Sequence, residues 1–182
     1  MPSNIEIKAI LKDRVAAEAT AARISDAGPE TIHQEDFFFV SGSARLKLRV
    51  FAPDRGELIR YERADVTDAR HSRYSIARTP DPEVLLGILT ATLGRAGVVK
   101  KTRVLYLAGQ TRIHIDRVEG LGNFLELEVV LWPEQTDVEG KAIAAALLSE
   151  FGIDEGQLIG EAYIDILARQ AGRPIADRGS ND

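Results

Sequence analysis

Hydrophobic and polar residues alternate along much of this chain, and the alternation predicts a protein built mainly from β-strands. Successive side chains of a strand point to opposite faces, so each alternating segment has one apolar and one polar face. Turn residues such as Ser41-Gly42-Ser43 and Ala108-Gly109 separate the segments at spacings typical of antiparallel hairpins. The predicted strands are residues 4–10, 31–40, 44–51, 58–63, 73–77, 98–107, 110–118 and 123–131.

Helical patterns lie between and after these strands. Asp13 can cap the start of a helix over residues 13–27, and Gly28-Pro29 is expected to end it. Three further helices are predicted at residues 83–95, 138–151 and 161–170. Residues 172–182 are polar and lack periodicity, so we expect a flexible tail there. The pattern therefore predicts an α+β fold with a single domain over residues 1–171.

Ionised residues of one sign occupy the polar faces of some predicted strands. Arg45, Lys47 and Arg49 fall on alternate positions, so they would form one row with neighbours roughly 7 Å apart. Glu126 and Glu128 form an acidic counterpart. One placement is an open sheet with this charged face in water. Like charges in a row repel, however, and this favours a sheet closed into a barrel, with a charged lumen and helices packed outside.

Composition limits the classes of function. The 182 residues, 45% of them hydrophobic, suit one domain with a substantial core. A net charge of −5 argues against general nucleic-acid binding, and the absence of cysteine excludes disulfides and thiolate chemistry. No apolar run approaches the roughly 20 residues that cross a bilayer, and the first residues lack a signal-peptide pattern. We therefore expect a cytoplasmic protein with no membrane or nucleic-acid partner.

The order of four charged motifs resembles the CYTH family, named for class IV adenylyl cyclases and thiamine triphosphatases. The resemblance covers residues 4–167 and rests on these segments: Glu6-Ile7-Lys8, residues 45–49, Arg112-Ile113-His114-Ile115-Asp116 and Glu126-Leu127-Glu128. It implies the triphosphate tunnel fold, an antiparallel β-barrel that acts on triphosphates with a divalent metal. Residues 112–128 are most similar to proteins labelled class IV adenylyl cyclase. The family's first motif is ExExK, and its first acid is replaced here by Asn4, so fewer carboxylates would hold the metal.

Residue types suggest a role for each charged side chain. Guanidinium groups bind phosphate oxygens in paired contacts, and lysines act as point charges. The candidates for substrate binding are Arg45, Lys47, Arg49, Arg60, Arg73, Lys101 and Arg103. The candidates for binding Mg²⁺ or Mn²⁺ through hard oxygen ligands are Glu6, Glu126 and Glu128. The catalytic candidates are Lys8, Arg112, His114 and Asp116. Lys100 should point away from Lys101, and Asp36 is a further candidate for a lumen acid.

Three functions remain open from the sequence. The chain has no Ser/His/Asp arrangement, no GxxxxGK loop and no reactive cysteine, so a covalent enzyme intermediate is not expected. Phosphohydrolysis by metal-activated water is favoured because it demands least of the site. Cyclisation of ATP to cyclic AMP and pyrophosphate is the first alternative, and a non-catalytic nucleotide- or polyphosphate-binding module is the second. The expected partner is a small triphosphate such as ATP, tripolyphosphate or thiamine triphosphate, and a homodimer is compatible with the sequence.

Overall fold

Eight antiparallel strands close into a barrel in the computed structural model, which describes residues 3–41, 44–62 and 70–172. The strands are β1 (Ser3–Ile10), β2 (Ala27–Phe39), β3 (Arg45–Ala52), β4 (Arg55–Glu62), β5 (Arg70–Thr79), β6 (Arg95–Ala108), β7 (Thr111–Val118) and β8 (Gly122–Val130). Their order around the barrel is β1-β5-β4-β3-β2-β6-β7-β8, and β8 pairs again with β1. The predicted antiparallel barrel is confirmed.

Helices pack on the outside of this barrel. Within the described ranges they are α1 (Arg14–Ile24), α2 (Pro82–Leu93), α3 (Asp137–Glu150) and α4 (Tyr163–Gln170), with a single 3₁₀ turn at Glu155–Gln157. Asp13 caps α1 by accepting from the backbone N–H of Ala16, and Thr136 and Glu139 form a capping box on α3. None of the described helices is long and apolar enough to cross a membrane.

The end of α1 differs from the prediction that it reaches residue 27. The helix stops at Ile24, and Ala27 already pairs with Leu107 of β6. Gly28 has a φ of 113°, and a Cβ atom there would lie 2.8 Å from the carbonyl oxygen of Leu105. The glycine that was expected to end the helix therefore allows β2 to approach β6 closely.

The alternation of each strand divides its side chains between two environments. Ile5 and Ile7 of β1 point outward into a hydrophobic core with Ile113, Ile115 and the helix residue Ala144. The intervening polar residues of the same strand point into the lumen. Packing of the helices on the outer face therefore forces the polar face inward.

The N-terminus of α4 packs against the lumen faces of several strands. Tyr163, its first residue, packs in a second hydrophobic cluster with Phe38, Val99, Val118 and Phe124, which lie on the lumen faces of their strands. Its ring centroid is 4.9 Å from that of Phe124. Residues 173–182, predicted as a flexible tail, lie outside the described residues, and the single domain over residues 1–171 stays a prediction.

Candidate functional site

The barrel encloses a cavity of about 450 Å³, which is within the size range of small-molecule sites. All eight strands and α4 contribute to its lining. The charged residues among them are Lys8, Lys47, Arg49, Arg78, Lys101, Arg103 and Arg112, and Glu6, Asp36, Glu57, Glu126 and Glu128. Charges of both signs therefore face one enclosed space.

A first ionic cluster joins β2 to β3. Lys47 Nζ lies 2.7 Å from Asp36 Oδ2, and Arg49 Nε lies 2.8 Å from Asp36 Oδ1. Burial opposes the charged form of Asp36, but the adjacent Arg49 and Lys47 hold its pKa well below the usual value. Burial, followed by the charge of Arg49, lowers the pKa of Lys47 to about 8. Two cations thus share one carboxylate, which holds both in the lumen.

A second cluster of the same composition joins β6 to β7. Arg103 donates to both oxygens of Asp116 at 2.6 and 2.7 Å, and Lys101 donates to Oδ2 at 3.0 Å. The hydroxyl of Tyr163 also donates to Oδ2 at 3.2 Å. Asp116 is fully buried and does not line the cavity, and the positive charges of Arg103 and Lys101 keep its pKa low despite burial. Asp116 therefore orients the cations and does not itself face a ligand.

Carboxylates on β8 form the acidic wall of the cavity. Ligand atoms of Glu126, Glu128 and His114 all lie within 4.8 Å of one another. Burial and the negative charge of Glu126 raise the pKa of Glu128. Glu6 pairs in register with Glu128 across β1 and β8, although it does not join this close group among the described residues. Buried carboxylates that crowd one another in this way suit a bound cation.

Cations adjoin these carboxylates. Lys8 Nζ lies 3.8 Å from Glu126 Oε2, and Arg112 Nε lies 3.0 Å from Glu128 Oε2. Burial opposes ionisation of Glu126, but Lys8 and then Arg103 hold its pKa well below the usual value. Lys8 also lies over the ring of Tyr163, with Nζ 4.1 Å from the centroid. Lys8 and Arg112 thus flank the acidic wall of the cavity.

Three buried polar atoms of cavity-lining residues make no hydrogen bond within the described part of the chain: Nδ1 of His114, Oδ1 of Asn4 and Nε of Arg112, of which the last lies in an ion pair 3.0 Å from Glu128 Oε2. Buried polar groups are normally paired, so each of the first two atoms calls for a ligand, an ion or water. Burial and the positive charge of Arg103 hold the pKa of His114 well below its usual value, so its ring is neutral near neutral pH. A neutral imidazole, an amide oxygen and two carboxylates are donors that a divalent cation accepts. The residues present therefore fit a metal site.

Some predicted site residues do not face the cavity. Arg60 is exposed on the outer face of β4, because Ile59 and Tyr61 take the inward positions. Arg45 does not line the cavity, and its guanidinium group pairs instead with Asp165 of α4. Arg73 belongs to β5, but its side chain lies outside the described residues. The remaining candidates are brought together in or directly behind the lumen.

The predicted opposition of Lys100 and Lys101 is seen in the structure. Lys101 is buried in the lumen, whereas Lys100 is exposed outside the barrel and forms an ion pair with Glu35 at 2.9 Å. Sequence reasoning missed Tyr163, which contacts Asp116 from another part of the chain. No local pattern could have revealed that contact, since the two residues are 47 positions apart.

One wall of the cavity is largely apolar, although Glu57 and Arg78 also line it. The inward residues of β4 and β5 include Ile59, Tyr61, Tyr74 and Ile76, and Phe51 of β3 lies near them. Ile76 of this wall is 48% exposed. The cavity therefore offers an apolar surface in addition to its charges.

The closed antiparallel barrel, with cationic and acidic walls around one lumen, is the architecture of a tunnel protein. Comparison of the chain with known protein families identifies the family. The chain matches the CYTH domain over residues 3–163, and it therefore belongs to the CYTH domain family. No curated protein matches the chain.

Solved structures share this fold at low sequence identity. A Pyrococcus horikoshii protein is 23% identical with a TM-score of 0.80, covering 89% of this chain and 98% of that one. A proposed adenylate cyclase from Vibrio parahaemolyticus is 19% identical with a TM-score of 0.75, covering 91% and 97%. A Hippeastrum protein, a proposed adenylyl cyclase with a dominant triphosphatase activity, is 14% identical with a TM-score of 0.65, covering 96% and 99%. These likenesses establish the fold.

Proposed function

We propose that this protein is a divalent-metal-dependent triphosphatase that hydrolyses the terminal phosphate of a nucleotide or another organic triphosphate. The observation that carries the proposal is the arrangement of one cavity: the cations of two clusters, each of two cations on one aspartate, share it with a group of carboxylates that could hold a metal ion. A triphosphate and its metal require both kinds of wall.

The two cation clusters would bind the phosphate chain. Each cluster holds two positive groups against one carboxylate, so each keeps an excess positive charge while its geometry is fixed. Lys47 and Arg49 supply one set of donors, and Lys101 and Arg103 supply the other. Donors that are already oriented and buried stabilise a developing negative charge better than mobile surface groups do.

Glu126 and Glu128 would hold the metal, with Glu6 beside them in register. When bound, the ion supplies charge neutralisation and lowers the pKa of a coordinated water. Lys8 and Arg112 adjoin these carboxylates and are placed to neutralise charge as water attacks the terminal phosphorus and the bridging P–O bond breaks.

The apolar wall supports an organic substrate. Ile59, Tyr61, Tyr74 and Ile76 offer surface that inorganic tripolyphosphate would leave uncovered, whereas a nucleoside or a thiamine moiety would cover it. The same wall favours cyclisation of ATP as the second candidate, because that reaction also needs the nucleoside to be held. The Vibrio structure is described as a proposed adenylate cyclase, and the Hippeastrum protein as a proposed adenylyl cyclase with a dominant triphosphatase activity. Hydrolysis needs no alignment of a ribose hydroxyl, so we place it first.

Product analysis tests the proposal. Metal-free protein is incubated with ATP, thiamine triphosphate or tripolyphosphate, with and without Mg²⁺ or Mn²⁺, and the products are separated. Metal-dependent orthophosphate release, faster from an organic triphosphate than from tripolyphosphate, is expected. Formation of cyclic AMP and pyrophosphate instead would show that the protein is a cyclase and would contradict the proposed hydrolysis. The absence of any product would contradict both enzyme functions and leave a binding module.

A matched pair of variants ties the activity to the lumen. Lys101→Gln should lower kcat/KM by at least about tenfold, since a hydrogen bond to a charged group contributes about 1.5–3 kcal/mol. Lys100→Gln changes the adjacent residue on the outer face and should leave kcat/KM unchanged. Equal effects of the two substitutions would contradict a site inside the barrel.

A further inference from the structure

His114 carries a buried nitrogen that no group in the described part of the chain satisfies. Its side chain is 4% exposed, and Nδ1 has no hydrogen-bond partner. The carboxylate oxygen Oε1 of Glu128 lies 3.7 Å away, too far for a hydrogen bond. A ring nitrogen that merely shared a proton with Glu128 would approach to about 3 Å. The distance leaves space between the two atoms that a cation can occupy.

The nitrogen faces two carboxylates. Ligand atoms of His114, Glu126 and Glu128 lie within 4.8 Å of one another, so small side-chain movements would bring all three within bonding distance of one ion. Two carboxylates and a neutral imidazole balance the charge of one divalent ion. His114 and Glu126 are directly opposite in the register of β7 and β8, and this pairing fixes their separation.

We propose that His114 Nδ1 is a metal ligand together with Glu126 and Glu128, and that this nitrogen makes the site select a transition-metal ion such as Mn²⁺ or Co²⁺ over Mg²⁺. The proposal deepens the proposed function, because it names the class of metal at the same site. Mg²⁺ prefers a shell of oxygen ligands and gives up its water reluctantly. Imidazole nitrogen binds Mn²⁺ and, more strongly, Co²⁺.

The surrounding cations strengthen this selection. Arg112 lies 3.0 Å from Glu128, and Lys8 and Arg103 lie 3.8 and 3.7 Å from Glu126. A metal must compete with these groups for the carboxylate oxygens. No guanidinium or ammonium group in the described part of the chain donates to Nδ1 of His114, so a metal need not displace a cation from this nitrogen. An ion that gains from the nitrogen therefore competes better than Mg²⁺ does.

Metal binding without substrate tests the proposal. Protein freed of metal is titrated with Mn²⁺, Co²⁺ and Mg²⁺ by calorimetry, and the Mn²⁺ form is examined by pulsed EPR for modulation from a directly bound ¹⁴N. We expect Mn²⁺ to bind at least about tenfold more tightly than Mg²⁺, with ¹⁴N modulation present. His114→Gln should remove the modulation and bring the two affinities within about threefold of each other.

His33→Gln is the matched control, because His33 is an exposed histidine on the outer face of β2. It should leave both the modulation and the metal preference unchanged. Absence of ¹⁴N modulation in the wild-type protein, or a metal preference that survives in His114→Gln, would overturn the proposal. The wild-type spectrum decides the ligand even if the variant fails to fold. Because no substrate is present, a failure here is distinct from a failure to release orthophosphate.

Discussion

At the scale of single residues, Lys47 is the cation whose charge depends most directly on its surroundings. Burial and the adjacent Arg49 lower its pKa, Asp36 raises it, Lys101 lowers it further, and the result is about 8. The ring of Tyr61 lies 5.5 Å from its Nζ. Lys47 is therefore positively charged below pH 8 and becomes neutral above it.

This titration predicts the pH dependence of anion binding. The protonated form attracts phosphate, and a bound anion raises the pKa of Lys47 in the complex. Affinity should therefore be constant below pH 8 and fall by up to about tenfold per pH unit above it. Calorimetric titration with a non-hydrolysable imidotriphosphate, in the absence of metal and at a series of pH values, measures this affinity. Lys47→Arg keeps its charge at these pH values and should remove the decline; an unchanged decline in that variant would assign it to another group.

Asp36→Asn separates the positioning role of the carboxylate from simple repulsion of the ligand. Loss of the carboxylate removes the influence that raises the pKa of Lys47, so the decline in affinity should begin below pH 8. At a pH well below the lowered pKa of Lys47, the variant should bind imidotriphosphate more tightly than the wild type, because a competing anion is gone. The two affinity curves should therefore cross. Tighter binding by the variant at every pH would show that Asp36 only repels the ligand.

The sequence predicted which residues carry charge on the lumen face, but it could not predict their partners. Alternation predicted correctly that Lys47 and Arg49 point inward, since alternate residues of one strand lie on the same face of the sheet. Arg45 lies on that same face, yet Asp165 binds it from 120 positions away in the chain. Arg60 was assigned inward by its charge, although its apolar neighbours occupy the inward positions.

At the scale of elements, the strands were predictable because each carries a strict alternation or a clear turn at its end. The end of α1 was not, since Gly28-Pro29 usually stops a helix and here starts the close contact of β2 with β6. Whether a glycine serves the end of a helix or a close approach depends on the neighbouring strand, which local sequence does not contain.

Helix packing on the barrel gives a stability prediction with opposite signs at two glycines. A Cβ atom at Gly140 of α3 would lie 2.6 Å from Leu131 Cδ2 and 2.7 Å from Ile5 Cγ1, whereas Gly87 of α2 has nothing within 4 Å. Gly140→Ala should lower the free energy of unfolding by about 1–3 kcal/mol through overpacking. Gly87→Ala should raise it by about 0.5–1 kcal/mol through helix propensity. Denaturant unfolding measures both, and stabilisation by Gly140→Ala would show that α3 is not held this closely.

At the scale of the whole molecule, barrel closure is what brings the two kinds of charge together. Strand β1 pairs with β8 on one side and β5 on the other, so residues near both ends of the chain share one lumen. Periodicity alone left the open sheet and the closed barrel as alternatives. The rows of like charge, and the order of the charged motifs through the family resemblance, favoured closure, but the packing of α4 against the lumen depends on tertiary contacts that the order does not include.

Under the proposed function, metal and triphosphate binding should depend on each other because both ligands share one lumen. Without metal, the acidic wall repels the phosphate chain; with metal, the same wall attracts it. We expect Mn²⁺ to tighten imidotriphosphate binding by roughly 5–150-fold, and imidotriphosphate to tighten Mn²⁺ binding by the same factor.

Glu126→Gln tests this coupling because it removes one wall charge without changing the shape of the side chain. The variant should bind metal-free imidotriphosphate at least as tightly as the wild type, since a repelling charge is lost. It should also lose most of the tightening by Mn²⁺, since a ligand of the metal is lost. Calorimetric titrations with and without Mn²⁺, corrected for the Mn²⁺–imidotriphosphate complex in solution, measure both effects. If the variant weakens metal-free binding and keeps the coupling, Glu126 supports the cations and does not hold the metal.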